Sequence, residues 1–150
     1  MNTDSGACGE VDQDGNTPMC KSIDVMQANL HGFESKANPC SNGTCDAVSQ
    51  CIAGMQQQGI EDYGVDAYGP GGRLIDTNNK FHVINEFVST QDYYTFWKLK
   101  TTLKQQGNEI VLENDCRDYL SGLNEVIEGD MGIVFSSWDN TNGIESFELD

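Results

Sequence analysis

Positive charge is scarce in this chain: 8 lysines and arginines stand against 24 aspartates and glutamates, a formal net charge of −16 over 150 residues. A surface of that sign repels nucleic acid and anionic membranes, so neither is expected as a partner. No apolar run approaches the roughly 20 residues of a membrane-spanning helix. The first residues, Met1–Gly6, show neither the basic nor the apolar stretch of a signal peptide. Only 2 histidines occur, His31 and His82, far apart and without a nucleophile pattern, so both are read as structural. No internal repeat or low-complexity tract divides the chain, and its length suits one domain, 1–150, with a core of its own.

Cysteine, by contrast, is present in an even number: Cys8, Cys20, Cys40, Cys45, Cys51 and Cys116. In a chain of this size that points to disulfides and to an oxidising, secreted or extracellular location. The missing leader then implies a mature chain or a fragment, with a partner chain if it is a fragment. Zinc is the weaker reading of the cysteines, because the Cys40, Cys45 and Cys51 spacings are loose and no histidine lies near them. Asn42-Gly43-Thr44 is a glycosylation sequon that a secreted eukaryotic chain would use. Asp12, Asp14 and Asn16 alternate like the start of a calcium loop, but Thr17 and Ile23 occupy the places of its glycine and its bidentate glutamate. A turn is the favoured reading there, with calcium second, and no other metal or cofactor is expected.

Strand signals dominate the periodicity. Ile23–Met26 reads as a half-buried strand, on which Ser22 and Asp24 share a face. Gln27 joins them only if a bulge shifts the register, because its distance from Ser22 is odd. Beyond it the residues up to Asn38-Pro39-Cys40 read as polar loop, as do those between Cys40 and Cys51. Residues 52–60 are ambiguous and suit a short helical turn. Gly69-Pro70-Gly71-Gly72 is a turn. Phe81, Val83 and Phe87 form the buried side of a further strand, against His82 and Glu86. In Tyr93–Lys100, Trp97 and Leu99 are expected on one face with Lys98 and Lys100 on the other. A hairpin break at Gln105–Asn108 leads to a strand over Glu109–Glu113, and Ile133–Phe135 reads as a buried strand. Asp118–Glu128 is the best helix, with Leu120, Leu123 and Ile127 near helical spacing.

Several of these stretches, in order, resemble glycoside hydrolase family 7, the fungal cellobiohydrolases and endoglucanases that cut β-1,4-glucan. The active-site strand of that family reads Cys-Cys-x-Glu-x-Asp-x-x-Glu-Ala-Asn, with His-Pro-Cys beyond a polar loop. This chain has Met19-Cys20-Lys21-Ser22-Ile23-Asp24-Val25-Met26-Gln27-Ala28-Asn29, then Asn38-Pro39-Cys40, with no gap. Gly43-Thr44-Cys45-Asp46, Ala67-Tyr68-Gly69-Pro70-Gly71, Lys80-Phe81-His82-Val83, Asn114-Asp115-Cys116 and Met131–Asp139 are similar to successive later segments. The match spans roughly residues 19–139. The similar run Cys8-Gly9-Glu10-Val11-Asp12 lacks the rest of the motif, since Gly15 stands at the acid/base place.

The resemblance implies an all-β fold, a concanavalin-like jelly-roll β-sandwich in truncated or reduced form. It also implies the disulfides Cys40–Cys45 and Cys51–Cys116, which leaves Cys8 with Cys20. Its catalytic positions fall on Ser22 (nucleophile), Asp24 (the supporting carboxylate) and Gln27 (acid/base), with Asn38 at the histidine position. Trp138, Asp139 and Phe147 fall at or near substrate-contacting positions, Trp138 where an indole stacks on glucose. A retaining glycosidase needs two carboxyl groups about 5–5.5 Å apart. A glutamine amide is no proton donor for this purpose, and an unassisted serine is a poor nucleophile toward an acetal carbon. The expected function is therefore a cellulase-family carbohydrate-active protein that binds β-1,4-glucan or cello-oligosaccharide without hydrolysing it. The alternatives are a structural or interaction protein that keeps only the scaffold, and an active hydrolase with relocated carboxylates, Asp24 with Asp139 or Glu10.

Overall fold

The computed structural model describes residues 22–38, 51–90, 95–114, 116–128 and 135. Within them strand predominates, the two large sheets are antiparallel, and one disulfide is present. The first sheet has the order β1 (Ser22–Ala28), β2 (Phe33–Asn38), β3 (Ile52–Gly54). A π turn, Met55–Gly59, and the short helix α1, Ile60–Tyr63, follow β3. The two-residue strands β4 (Tyr68–Gly69) and β5 (Ile75–Asp76) pair parallel. The second large sheet has the order β6 (His82–Ser89), β7 (Phe96–Gln105), β8 (Asn108–Asn114). Residues 117–128 then form one helical run: α2 (Arg117–Leu120), a 3₁₀ turn (Ser121–Leu123) and α3 (Asn124–Glu128).

Both large sheets supply the core. Phe33 and Ala53 of the first join Leu103, Ile110 and Leu112 of the second, with Met55, Ala67, Tyr68 and Ile75. A second cluster gathers Ala37 and Cys51 with Phe96, Leu99, Leu120 and Leu123. Between the two lies a polar contact: Ser35 Oγ and Thr101 Oγ1, both fully buried, are 2.7 Å apart. Thr101 Oγ1 donates in turn to Asn85 Oδ1 at 2.7 Å, which leaves the Ser35 hydroxyl as donor to Thr101. The Cys51–Cys116 disulfide, with Cα atoms 5.8 Å apart, ties the start of β3 to the start of α2.

The turn chemistry reads directly off the residues. Gln106 (φ 50°) and Gly107 (φ 88°) make the two-residue connection between Gln105 and Asn108, and paired positive φ values suit the right-handed twist of a hairpin. At Gly69–Gly72 the Gly72 N–H donates to Gly69 O at 2.9 Å, with Pro70 at the second position and Gly71 (φ 73°) at the third, where a type II turn requires them. Asp76 fixes this turn to the following loop. Its Oδ1 accepts from Gly71 N (2.7 Å), Asn78 N (3.1 Å) and Asn78 Nδ2 (3.1 Å), and its Oδ2 from Asn79 Nδ2 (2.7 Å). The Gly71 and Asn78 amides hold the Asp76 carboxyl below its ordinary value of 3.8. A depressed folded-state pKa means stability that is present above the ordinary value and lost as pH falls through the lowered one. Asp76→Ala should therefore lower the urea midpoint at pH 7, and the gap to wild type should close as the pH drops below about 4. A gap independent of pH would show that Asp76 acts through packing alone.

Three expectations are corrected by the strands. Phe33–Asn38 is strand rather than loop, whereas in the ambiguous stretch at 52–60 a short strand, β3, comes first and the helical turn follows from Met55. In β7 a bulge opposite Val88 and Ser89 puts two residues, Trp97 and Lys98, where one would fit. Phe96 rather than Trp97 therefore joins Leu99 in the core, and the Lys98 ammonium lies 4.8 Å from the Trp97 ring centre. Phe87 pairs with Leu99 on the core face but stays 48% exposed, its ring 5.6 Å from that of Phe96, because it lies at the end of the sheet. Of the strand expected at Ile133–Phe135 only Phe135 is described, outside any strand and 94% exposed.

Candidate functional site

One extra residue in β1 decides which side chains share its outer face. Ser22 pairs with Asn38, Ile23 with Ala37 and Asp24 with Lys36; the next pairs are Gln27 with Glu34 and Ala28 with Phe33. Three residues of β1 thus advance against two of β2 between Asp24 and Gln27, which is a β-bulge. Directly paired residues share a face. Ser22, Asp24 and Gln27 therefore all lie on the side of β2 that carries Glu34 and Lys36. Without the bulge Gln27 would point into the core beside Ile23. The surplus is taken up by Val25 and Met26, which stand 39% and 55% exposed.

The opposite side of β2 anchors the arrangement. Phe33, Ser35 and Ala37 are fully buried, so the polar side is forced outward by strict alternation. The hairpin tip is equally fixed. Asn29 Oδ1 accepts from the His31 and Gly32 amides, both at 2.7 Å. Asn29 O accepts from the Tyr68 hydroxyl at 3.1 Å, and Leu30 O from Thr77 Oγ1 at 2.8 Å. Burial pushes the Tyr68 phenol up to about 12, so the tyrosine is a permanent hydrogen-bond donor here.

Lys36 sits at the centre of the polar face. Its Nζ is 3.8 Å from Asp24 Oδ2 and 3.7 Å from Glu34 Oε1. One ammonium thus stands between two carboxylates, the one across the strand pair and the other two residues away on its own strand. Carboxylates held in this way accept hydrogen bonds from hydroxyl groups and fix their direction. The face continues onto β3, where Gly54 pairs with Glu34 and Ile52 with Lys36. A Cβ at position 54 would come within 3.3 Å of the Glu34 Cβ, so glycine leaves room above that carboxylate.

Among the residues proposed from sequence, Ser22, Asp24 and Gln27 are brought together, and Asn38 is placed by register opposite Ser22. Trp138, Asp139, Phe147 and Glu10 lie outside the described residues, as do Cys8, Cys20, Cys40, Cys45, the Asn42 sequon and the calcium candidate Asp12, Asp14 and Asn16. His31, in the β1–β2 turn, and His82, at the start of β6, are both exposed. Among the described residues no group of three or more His, Cys, Asp or Glu side chains could hold a metal ion, and no helix is long and apolar enough to cross a membrane. Glu34 and Lys36 were missed because their stretch reads as loop. The signal was the alternation Phe-Glu-Ser-Lys-Ala-Asn, disguised by the small, weakly apolar Ser35 and Ala37 at core positions. No family model, curated protein or solved structure matches this chain.

Proposed function

We propose that this chain is a non-hydrolytic, β-1,4-glucan-binding relative of the family 7 glycoside hydrolases, built on a reduced jelly-roll sandwich and working outside the cell. The observation that carries the reading is the bulge in β1, which aligns Ser22, Asp24 and Gln27 on one face. The family motif spaces its three acidic groups in the same uneven way, two residues and then three, and such spacing serves a single face only when a bulge absorbs the odd residue. Here the outer two groups are a hydroxyl and a carboxamide. They supply hydrogen bonds to sugar hydroxyls but neither the nucleophile nor the acid of a retaining mechanism. The Cys51–Cys116 disulfide accords with secretion.

Trp138 supplies the apolar part of the proposed site, where an indole face stacks on the C–H face of a glucose ring. Cello-oligosaccharide is expected to shift or quench tryptophan fluorescence, and Trp138→Ala to abolish the response. A response that survives this substitution would assign the signal to Trp97 and remove Trp138 from the site.

A further inference from the structure

The outer edge of β8 is closed by side chains rather than by another strand. In an antiparallel ladder alternate residues turn their amides away from the neighbour, and Val111 and Glu113 do so here. Val111 N donates to the Tyr63 hydroxyl at 3.0 Å, and that hydroxyl donates back to Val111 O at 3.3 Å. Glu113 N donates to Gln58 Oε1 at 2.9 Å. One phenol thus makes both hydrogen bonds that a paired strand residue would make. Gln58 lies in the π turn and Tyr63 in α1, so the segment 55–63 acts as a strap along the edge. Its far end is fastened by Arg73, whose Nη2 donates to Tyr63 O at 2.6 Å.

The strand beneath the strap reads Asn108-Glu109-Ile110-Val111-Leu112-Glu113-Asn114, nearly the same in both directions about Val111. A second copy laid antiparallel on this edge would place Val111 against Val111, Ile110 against Leu112, Glu109 against Glu113 and Asn108 against Asn114. The centre falls on a residue, so both copies keep their core faces on the same side of the joined sheet. Ile110 and Leu112 already lie on the buried face. Opposed glutamates would ordinarily repel, but Glu109 and Glu113 carry their own cations, Lys104 at 3.4 Å and Lys98 at 2.8 Å. The backbone groups of Val111 that would pair across the twofold axis are those the Tyr63 hydroxyl occupies.

We infer that the β8 edge is a self-pairing surface for a second copy of this chain, kept shut by Tyr63 and Gln58. Hydrogen exchange and sedimentation on the wild type and the Tyr63→Phe/Gln58→Ala variant test this. In the wild type, which should sediment as a monomer, the Val111 and Glu113 amides should be as protected as those of Ile110 and Leu112. In the variant at low concentration they alone should exchange at least about tenfold faster, since each has lost its hydrogen-bond partner. At high concentration their protection should return, with sedimentation as a dimer. Adding Val111→Pro, which removes an amide that its own sheet does not use, should restore the monomer. Wild-type Val111 and Glu113 amides that exchange freely would overturn the inference without any variant. So would a variant that stays monomeric, or association that persists with Val111→Pro.

Discussion

Wild-type protein incubated with an aryl cellobioside should release no phenol above background, and Ser22→Glu or Gln27→Glu alone should change this little. The two substitutions together should raise the rate at least about 100-fold over either one, because nucleophile and acid act as a unit, and a single acid/base group alone is worth about 10²–10⁴-fold. The geometry favours the attempt. The bulge turns positions 22 and 27 to the same face as Asp24, the residue proposed to stand at the supporting-carboxylate position. The carboxyl introduced by Gln27→Glu would face Glu34 across the strand pair, where like charge favours the protonated form that a general acid needs. Lys36 pulls the other way, since its ammonium already serves Asp24 and Glu34 and would favour the ionised form of a third carboxyl. The triple variant with Lys36→Ala should for this reason outperform the double. Turnover by the wild type would contradict the proposal that Ser22 and Gln27 leave the site without a catalytic pair. A folded but inactive double variant would show that the remainder of a hydrolytic cleft is missing.

Removing the Cys51–Cys116 disulfide should have the largest effect on stability. The bond closes a loop with a sequence separation of 65, worth about 4 kcal/mol if the cross-link acts by restricting the unfolded chain, a mechanism that is itself model-dependent. Cys51→Ala/Cys116→Ala should lower the urea midpoint by about 2 M at an ordinary m-value. The cost should also reach the candidate site. Cys51 is fully buried, and its carbonyl accepts from Ala37 N at 3.2 Å, inside the strand that carries Lys36. Asn114 reaches the same carbonyl with its Nδ2 at 3.5 Å and accepts from Leu99 N at 3.0 Å, which couples the two sheets at this point. An unchanged midpoint on substitution would mean that the hydrogen bonds around Cys51 hold the sheets together without it. Peptide mapping under non-reducing conditions should recover the pair, and free thiols at both positions would remove the case for an oxidising compartment.

Much of the fold was legible where local chemistry decides it. Pro70 with Gly71 names its turn, and Gln105–Asn108 reads as a hairpin because Gly107 supplies a positive φ at little cost. The helical run at 117–128 follows from the spacing of Leu120 and Leu123. What escaped was set by register, a tertiary property. Nothing in Trp97-Lys98 announces a bulge, yet it moves Phe96 into the core and turns Trp97 away. β2 was hidden because Ser35 is buried through its bond to Thr101, 66 residues away, so a polar residue marks the core face. The candidate site was half visible. Ser22, Asp24 and Gln27 were found by motif, with the bulge named as the condition for their sharing a face. Glu34 and Lys36 became visible only once the partner strand was in place.

The most direct test of a non-hydrolytic glucan-binding face is an amide NMR titration with cellohexaose, with the sugar followed in the same tube. Shifts should concentrate in Ser22–Ala28 and Phe33–Asn38 and be lost in the Asp24→Ala/Gln27→Ala variant, with the hexaose intact after prolonged incubation. Strand amides that do not move, or shorter sugars accumulating with the wild type, would contradict it.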